Sequence, residues 1–318
     1  VRAVLIVNPN ATSTTPAGRD LLAHALESRT TLSVAHTDHR GHAIEIAAEA
    51  ARGGVDVVIV HGGDGTVNEV VNGILGELGP TNRGPAVGVV PGGSANVFAR
   101  ALGISPDPLE ATNQLVDLLS EYRRTRRWRR IGLMDCGERW GVFTAGMGVD
   151  GAVVAAVEEQ RAKGRKVTAA RYIRVAIREV LASAREEPTL TLHLPDRDPI
   201  SGVHFAFVSN SSPWTYANAR PVWTNPDTTF ETGLGVFATT SMNVWANLRL
   251  VRQMLSKKPR LTAKHLVRDD DLPGLTVTSD GPVACQIDGD FIGEREKMTF
   301  TAVPDALAVV APAAPAAS

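Results

Sequence analysis

The chain reads as an α/β protein of two domains. An N-terminal doubly wound parallel-sheet nucleotide domain precedes a C-terminal antiparallel β-sandwich-like domain with helical insertions. Three observations predict this. Toward the N-terminus, continuous apolar runs alternate with segments of helical period, the pattern of a parallel sheet covered on both faces. Beyond Arg130 the apolar runs shorten and turn residues separate them, as in antiparallel sheets. A length of 318 residues suits two domains. The expected division is 1–129, completed by a returning strand at 303–310, then 130–302, with a disordered Ala/Pro tail at 311–318.

In order, residues 4–7 form a buried strand that stops at Asn8-Pro9-Asn10. Leu21, Leu22, Ala25 and Leu26 recur at helical spacing, and 32–35 is a second strand. Ala43, Ile44, Ala47, Ala48 and Ala51 mark a helix that Gly53-Gly54 ends. Residues 55–60 are the third strand, and Val67, Val70, Val71 and Ile74 give the next helix one apolar face. Residues 86–90 are the fourth strand, before Pro91-Gly92-Gly93-Ser94-Ala95-Asn96 opens another helix. In the second half, strands are expected at 131–136, 140–145, 190–194, 203–209, 234–239, 275–278, 283–287 and 297–302. Helical insertions are expected near 153–185 and 243–257.

Composition narrows the function classes. Hydrophobic residues at 43% and charged residues at 21% are ordinary for a globular protein. A net charge of −1 gives no global field to gather nucleic acid, and no nucleic-acid partner is expected. Cys136 and Cys285 form no CxxC or Cys/His pattern, which fits a reduced, cytoplasmic protein. No secretory signal or membrane-length apolar run is present.

The run from Val57 to Glu69 carries the most chemistry. A β-branched strand stops at Gly62-Gly63-Asp64-Gly65-Thr66, and a helix begins. Glycines let the backbone approach a ligand, and a helix N-terminus favours negative charge. An acid inside such an anion cradle makes sense when a divalent cation accompanies the phosphate. The run therefore reads as a nucleoside-triphosphate site. Asn8, Asp64 and Ser94 all fall at the carboxyl ends of parallel strands, where ligands of such sheets sit.

Four segments in this order resemble the diacylglycerol kinase catalytic family, bacterial lipid-kinase branch, with actinobacterial members the most similar. They are Asn8-Pro9-Asn10, the run from Gly62 to Glu69, Pro91 to Asn96, and Asp288-Gly289-Asp290. The resemblance implies an ATP- and Mg²⁺-dependent lipid kinase that phosphorylates the hydroxyl of diacylglycerol to give phosphatidate. It implies nucleotide contacts from Asn8, Pro9, Asn10, Ala11, Thr12 and Thr37. Further contacts would come from Gly62, Gly63, Asp64, Gly65, Thr66, Val67, Asn68 and Glu69, and from Gly93, Ser94 and Asn96. Asp64 and Asp135 would serve the metal. Asp288 or Asp290 would be the general base, with Asp288 favoured; Asp290 stands where the family usually has glutamate.

Two other departures from the family pattern stand out. Val97 occupies a position that is often aspartate, and Thr232 in Glu231-Thr232-Gly233-Leu234-Gly235 replaces the acid of a structural metal turn. The expected partners are a neutral lipid and the inner face of a membrane, with a homodimer compatible with the sequence. A sphingoid-base or other lipid-alcohol kinase is the alternative within this chemistry. An NAD kinase shares only the glycine–aspartate loop. A non-catalytic lipid- or nucleotide-binding regulator is the alternative of another class.

The remaining features have plainer readings beside functional ones. Gly146-Met147-Gly148-Val149-Asp150-Gly151 matches G-x-G-x-x-G, yet no second parallel strand ending in an acid follows, so close strand–helix packing is expected. The arginines at 123, 124, 126, 127, 129 and 130 around Trp128 suit anionic headgroups or a solvated hinge. The basic stretch Lys163 to Arg174 is an interfacial helix or a core-facing helix with a charged outside. His36, His39 and His42 are expected on the surface, near adenine. His61 is expected to be structural. Trp214, Tyr216 and Trp223 line a lipid entrance or simply pack. Asp288-Gly289 alone would be a hairpin turn.

Overall fold

The structure is a computed structural model that describes residues 1–11, 16–80, 84–162, 187–217, 220–257 and 259–314. The expected contact at Thr12 and the basic stretch after Lys163 lie outside them. Two compact units emerge: Val1–Leu133 with Val303–Ser318, and Met134–Ala302.

The first unit alternates strand and helix: β1 (Arg2–Val7), α1 (Pro16–Glu27), β2 (Thr31–His36), α2 (His42–Arg52), β3 (Val57–Gly62), α3 (Asp64–Leu78), β4 (Ala86–Pro91), α4 (Val97–Ala101) and α5 (Pro108–Thr125). The strands pair in parallel in the order β4-β3-β1-β2. Every residue of β3 and β4 is buried, which is why both read as uninterrupted apolar runs. Leu5, Ile59, Val90, Leu115 and Val310 share one core cluster. The chain returns late to pair Val309 with Val87 in parallel beside β4.

Sequence patterning leaves α5 unassigned, although its start is well marked. Asp107 accepts the N–H groups of Leu109 and Glu110, and Pro108 occupies the first turn, where its missing donor costs nothing. Around Trp128, Arg129 donates to the carbonyls of Leu102 and Pro312, and Arg130 to that of Asp305. Two of the six clustered arginines therefore fasten the returning chain. The tail is ordered further than expected: Ala311 is buried and Pro312 is held by Arg129.

The second unit contains β6 (Trp140–Gly141), β7 (Thr144–Gly148), α6 (Val149–Ala162), β8 (Leu190–His193), β9 (Ile200–Val203), β10 (Phe205–Ser209), β11 (Thr215–Ala217), β12 (Arg220–Val222), β13 (Leu234–Thr239), α7 (Val244–Met254), β14 (Leu266–Leu272) and β15 (Gly274–Ile287). Two strands, β5 (Arg129–Asp135) and β16 (Asp290–Val309), span the division in sequence. Antiparallel pairing joins β14-β13-β10-β7-β15-β16, with β8 beside β15 and β9 beside β8.

Four strand expectations change. The runs at 297–302 and 303–310 belong to one strand, β16, which begins at Asp290. The run at 140–145 breaks into β6 and β7, because the N–H groups of Val142 and Phe143 turn to the Asp288 carboxylate. The runs at 275–278 and 283–287 are one strand, β15, with an irregular register between Thr278 and Val283. The run at 203–209 divides into the end of β9 and β10. The G-x-G-x-x-G segment joins β7 to α6, and β7 has antiparallel neighbours on both sides. A Cβ at Gly151 would lie 2.2 Å from the Ala284 carbonyl oxygen. Close packing therefore accounts for that glycine. Trp214 stacks on Phe207 with ring centroids 5.0 Å apart, which is ordinary core packing.

Candidate functional site

Three loops of the first unit meet at the carboxyl ends of β1, β3 and β4. Asn8 donates its N–H to the His61 carbonyl and its side-chain amide to the Thr66 hydroxyl, 3.1 Å away. Its Oδ1 accepts the Asn10 N–H, closing a tight turn. Gly92 donates to the Gly62 carbonyl at 2.8 Å. Glycine is required here because the loops touch backbone to backbone. A Cβ on Gly93 would stand 2.7 Å from the Gly63 Cα, and one on Gly92 3.3 Å from the Ala11 Cβ.

Gly63 caps α3 and, having no side chain, satisfies none of its first N–H groups. The space where a Gly65 side chain would stand is empty for 4 Å. Open donors, a favourable helix dipole and free space beside the backbone suit an anion.

Asp64 ties two of the loops together. Its two oxygens accept the Val97 and Phe98 N–H groups, each at 3.1 Å, and so cap α4 from another helix. Burial pushes its carboxyl above the ordinary range, against the pull of the N–H groups of Phe98, Val97 and Asn96. Each oxygen keeps a lone pair, and a half-buried acid whose charge is poorly offset suits a nearby cation. Asn96 sits in the left-handed region and closes its own loop through two bonds to Gly93, at 2.9 and 2.8 Å. Ser94 is exposed at the tip, and Thr37 is buried at the end of β2 with its N–H on Val7.

The rest of the glycine run does structural work that patterning does not reveal. Val67 and Asn68 are buried, and Asn68 accepts the Asn72 amide. Glu69 accepts the N–H of Gly41, the residue that opens α2. His61 is buried with Nδ1 3.3 Å from the Val90 carbonyl, and burial lowers its pKa. Asp38, His39 and His42 cluster at the start of α2; the two imidazoles stack at 4.8 Å.

The acidic turn of the second unit separates its two candidate bases. Asp288 and Gly289 both have positive φ and make the two-residue hairpin between β15 and β16. The Asp288 carboxylate accepts three backbone N–H groups, from Val142 at 2.7 Å and from Phe143 and Thr144 at 2.9 Å each. Asp290 is half-buried and pairs with Arg139 at 2.7 Å. Asp135 accepts the Gly137 N–H at 2.8 Å, closing the turn between β5 and β6. Burial, reinforced by the charges of Asp288 and Asp135, raises the Cys136 thiol pKa far beyond its usual range. Thr232 closes a turn with Thr229, and Asp271 accepts the Gly233 N–H.

Residues 2–124 match the diacylglycerol kinase catalytic domain. A protein of Chromohalobacter salexigens named "Probable lipid kinase YegS-like" is 42% identical over 96 residues, 30% of each chain. The diacylglycerol kinase of Bacillus subtilis is 40% identical over 125 residues, 36% of this chain and 38% of that one. The chain thus spans about a third of the length of these curated relatives. The fold is similar to that of a diacylglycerol kinase crystal structure from Bacillus anthracis str. Sterne. The TM-score is 0.72 at 17% identity, over 98% of this chain and 97% of that one.

Proposed function

We propose that the protein, whose residues 2–124 match the diacylglycerol kinase catalytic domain, is an ATP- and Mg²⁺-dependent lipid kinase. It transfers the γ-phosphoryl group to the hydroxyl of diacylglycerol, giving phosphatidate and ADP. The observation that carries this reading is the uncapped N-terminus of α3, with open space at Gly65 and an acid poorly offset by its surroundings at Asp64.

Phosphoryl transfer asks a protein chiefly for positioning and charge stabilisation. The N–H groups of Gly65 and Thr66 hold the phosphates, and the Asn8 amide fixes the Thr66 hydroxyl that faces the same loop. Asp64 would hold the divalent cation, which would neutralise charge developing on the phosphates. Asp290 accepts the proton of the acceptor hydroxyl as its oxygen bonds to the γ-phosphorus and the bond to ADP breaks. Asp288 suits that role less, since both its oxygens already accept buried N–H groups. Asp290 pairs with the Arg139 guanidinium and is partly exposed.

The protein acts at the cytoplasmic membrane surface, where such acceptors reside. Among the described residues no helix is long and apolar enough to cross a membrane.

Purified protein with labelled ATP, Mg²⁺ and a panel of diacylglycerol, sphingoid base and other lipid alcohols tests the proposal. Labelled phosphatidate is the expected product. Label only on another lipid alcohol would move the substrate assignment. ATP binding without transfer to any acceptor would make the protein a regulator.

A further inference from the structure

Helix α7 is apolar on two opposite faces. On one, Leu250 and Met254 are buried with Phe237 and Leu261. The helix is fastened there by Gln253, which accepts the Thr262 N–H, and by the Met254 carbonyl, which accepts the Trp223 N–H. On the other, Trp245 is 81% exposed, Leu248 58% and Val251 47%. These three recur every third residue and form one stripe. Buried packing explains the first face, and no described residue of the unit covers the second.

The charge around this stripe is one-sided. Between Glu231 and Asp269 the chain has seven Lys or Arg and no acid, in a protein of net charge −1. Arg249 and Arg252 flank the exposed stripe. Arg249 also joins Lys264, Arg268, Leu261 and Leu266 around an open depression of about 600 Å³. Arg268 is paired with Asp270 at 2.9 Å, whereas Arg249 and Lys264 have no carboxylate partner among the described residues.

We propose that α7 docks this protein on an anionic lipid bilayer, with Trp245, Leu248 and Val251 in the interface and a lipid phosphate between Arg249 and Lys264. An exposed Trp–Leu stripe edged by arginines is the composition of an interfacial helix, and eleven residues are too few to span. A twofold pairing of this face with a second copy would set the same cations against each other. The inference rests on the lipid-kinase reading only in naming a bilayer as the source of phosphate.

Vesicles of phosphatidylcholine, with and without phosphatidylglycerol, test the surface by co-sedimentation. Brominated acyl chains report tryptophan insertion by quenching. Binding should need the anionic lipid, fall with salt and quench tryptophan fluorescence. W245S/L248S should remove the quenching. R249Q/K264Q should weaken binding roughly fivefold per charge while leaving a folded protein. Turnover of soluble dioctanoylglycerol by these variants should match the wild type. Absent vesicle binding, or binding and quenching unchanged in W245S/L248S, overturns the docking surface. A dimer in solution that W245S/L248S dissociates overturns it too, in favour of self-association. Vesicle binding without transfer to any lipid would instead leave docking intact and sink the kinase reading.

Discussion

Gly65 and Gly76 lie in the same helix, both are exposed, and a Cβ at either would meet no atom within 4 Å. Neither has a positive φ. Replacing either glycine by alanine should therefore stabilise α3 by about 0.5–1 kcal/mol, by restricting the unfolded chain. For a protein of this size that is a rise in Tm of roughly 1–4 °C. The two differ only in what should occupy the space beside them. If phosphates approach the backbone at Gly65, a methyl group there displaces them. A displacement of about an ångström lowers kcat/KM for ATP on the order of a hundredfold. Gly76→Ala should leave kcat/KM unchanged. Differential scanning fluorimetry and steady-state kinetics on the two variants give the comparison directly. A Gly65→Ala protein that is stabilised and still turns over like the wild type would refute the phosphate cradle, with the fold excluded as an excuse.

The other expectations concern the acids, the buried histidine and the thiols. Asp288→Ala strands three buried N–H groups and should cost about 3 kcal/mol or more in urea denaturation. Asp290→Asn loosens one partly exposed ion pair, so stability should change by about 1 kcal/mol or less. Its turnover should nevertheless fall by about 10²-fold or more, and the opposite pattern would exchange the two roles. His61 has a lowered pKa in the folded state, so the stability it confers is complete above about pH 6.5. That stability is lost as pH falls from there through the lowered value. Urea midpoints should show that limb in the wild type and not in His61→Gln. Burial raises the Cys285 thiol to about 11 and Cys136 further, so iodoacetamide at neutral pH should label neither in the native protein.

Legibility followed the range of the forces involved. The strands β3, β4 and β13 are written locally, in runs that are buried on both faces, whereas β2 has no buried residue. β14 escaped notice because Asp269, Asp270 and Asp271 break its apolar pattern. Two of the three depend on partners far off in the chain, Arg197 for Asp269 and the Gly233 N–H for Asp271, while Asp270 pairs with Arg268 two residues before it. The same distinction holds in the candidate site. Glycines and prolines announce the three loops in sequence. That Glu69 holds Gly41, that Asp64 caps α4, and that Asp288 gathers three N–H groups are contacts across 28 to 146 residues, invisible to periodicity. The resemblance favoured Asp288 as the proton acceptor, and the three N–H groups on its carboxylate come from residues that no local signal connects to it.

The seam between Gly63 and Gly93 has an evolutionary corollary. When a large side chain grows into a core, a neighbour can shrink to make room, and families drift by such exchanges. Here both parties are already as small as an amino acid can be, so no answering change exists on the opposite loop. Diversification among descendants of this sequence would have to proceed at exposed tips such as Ser94, while the seam stays fixed.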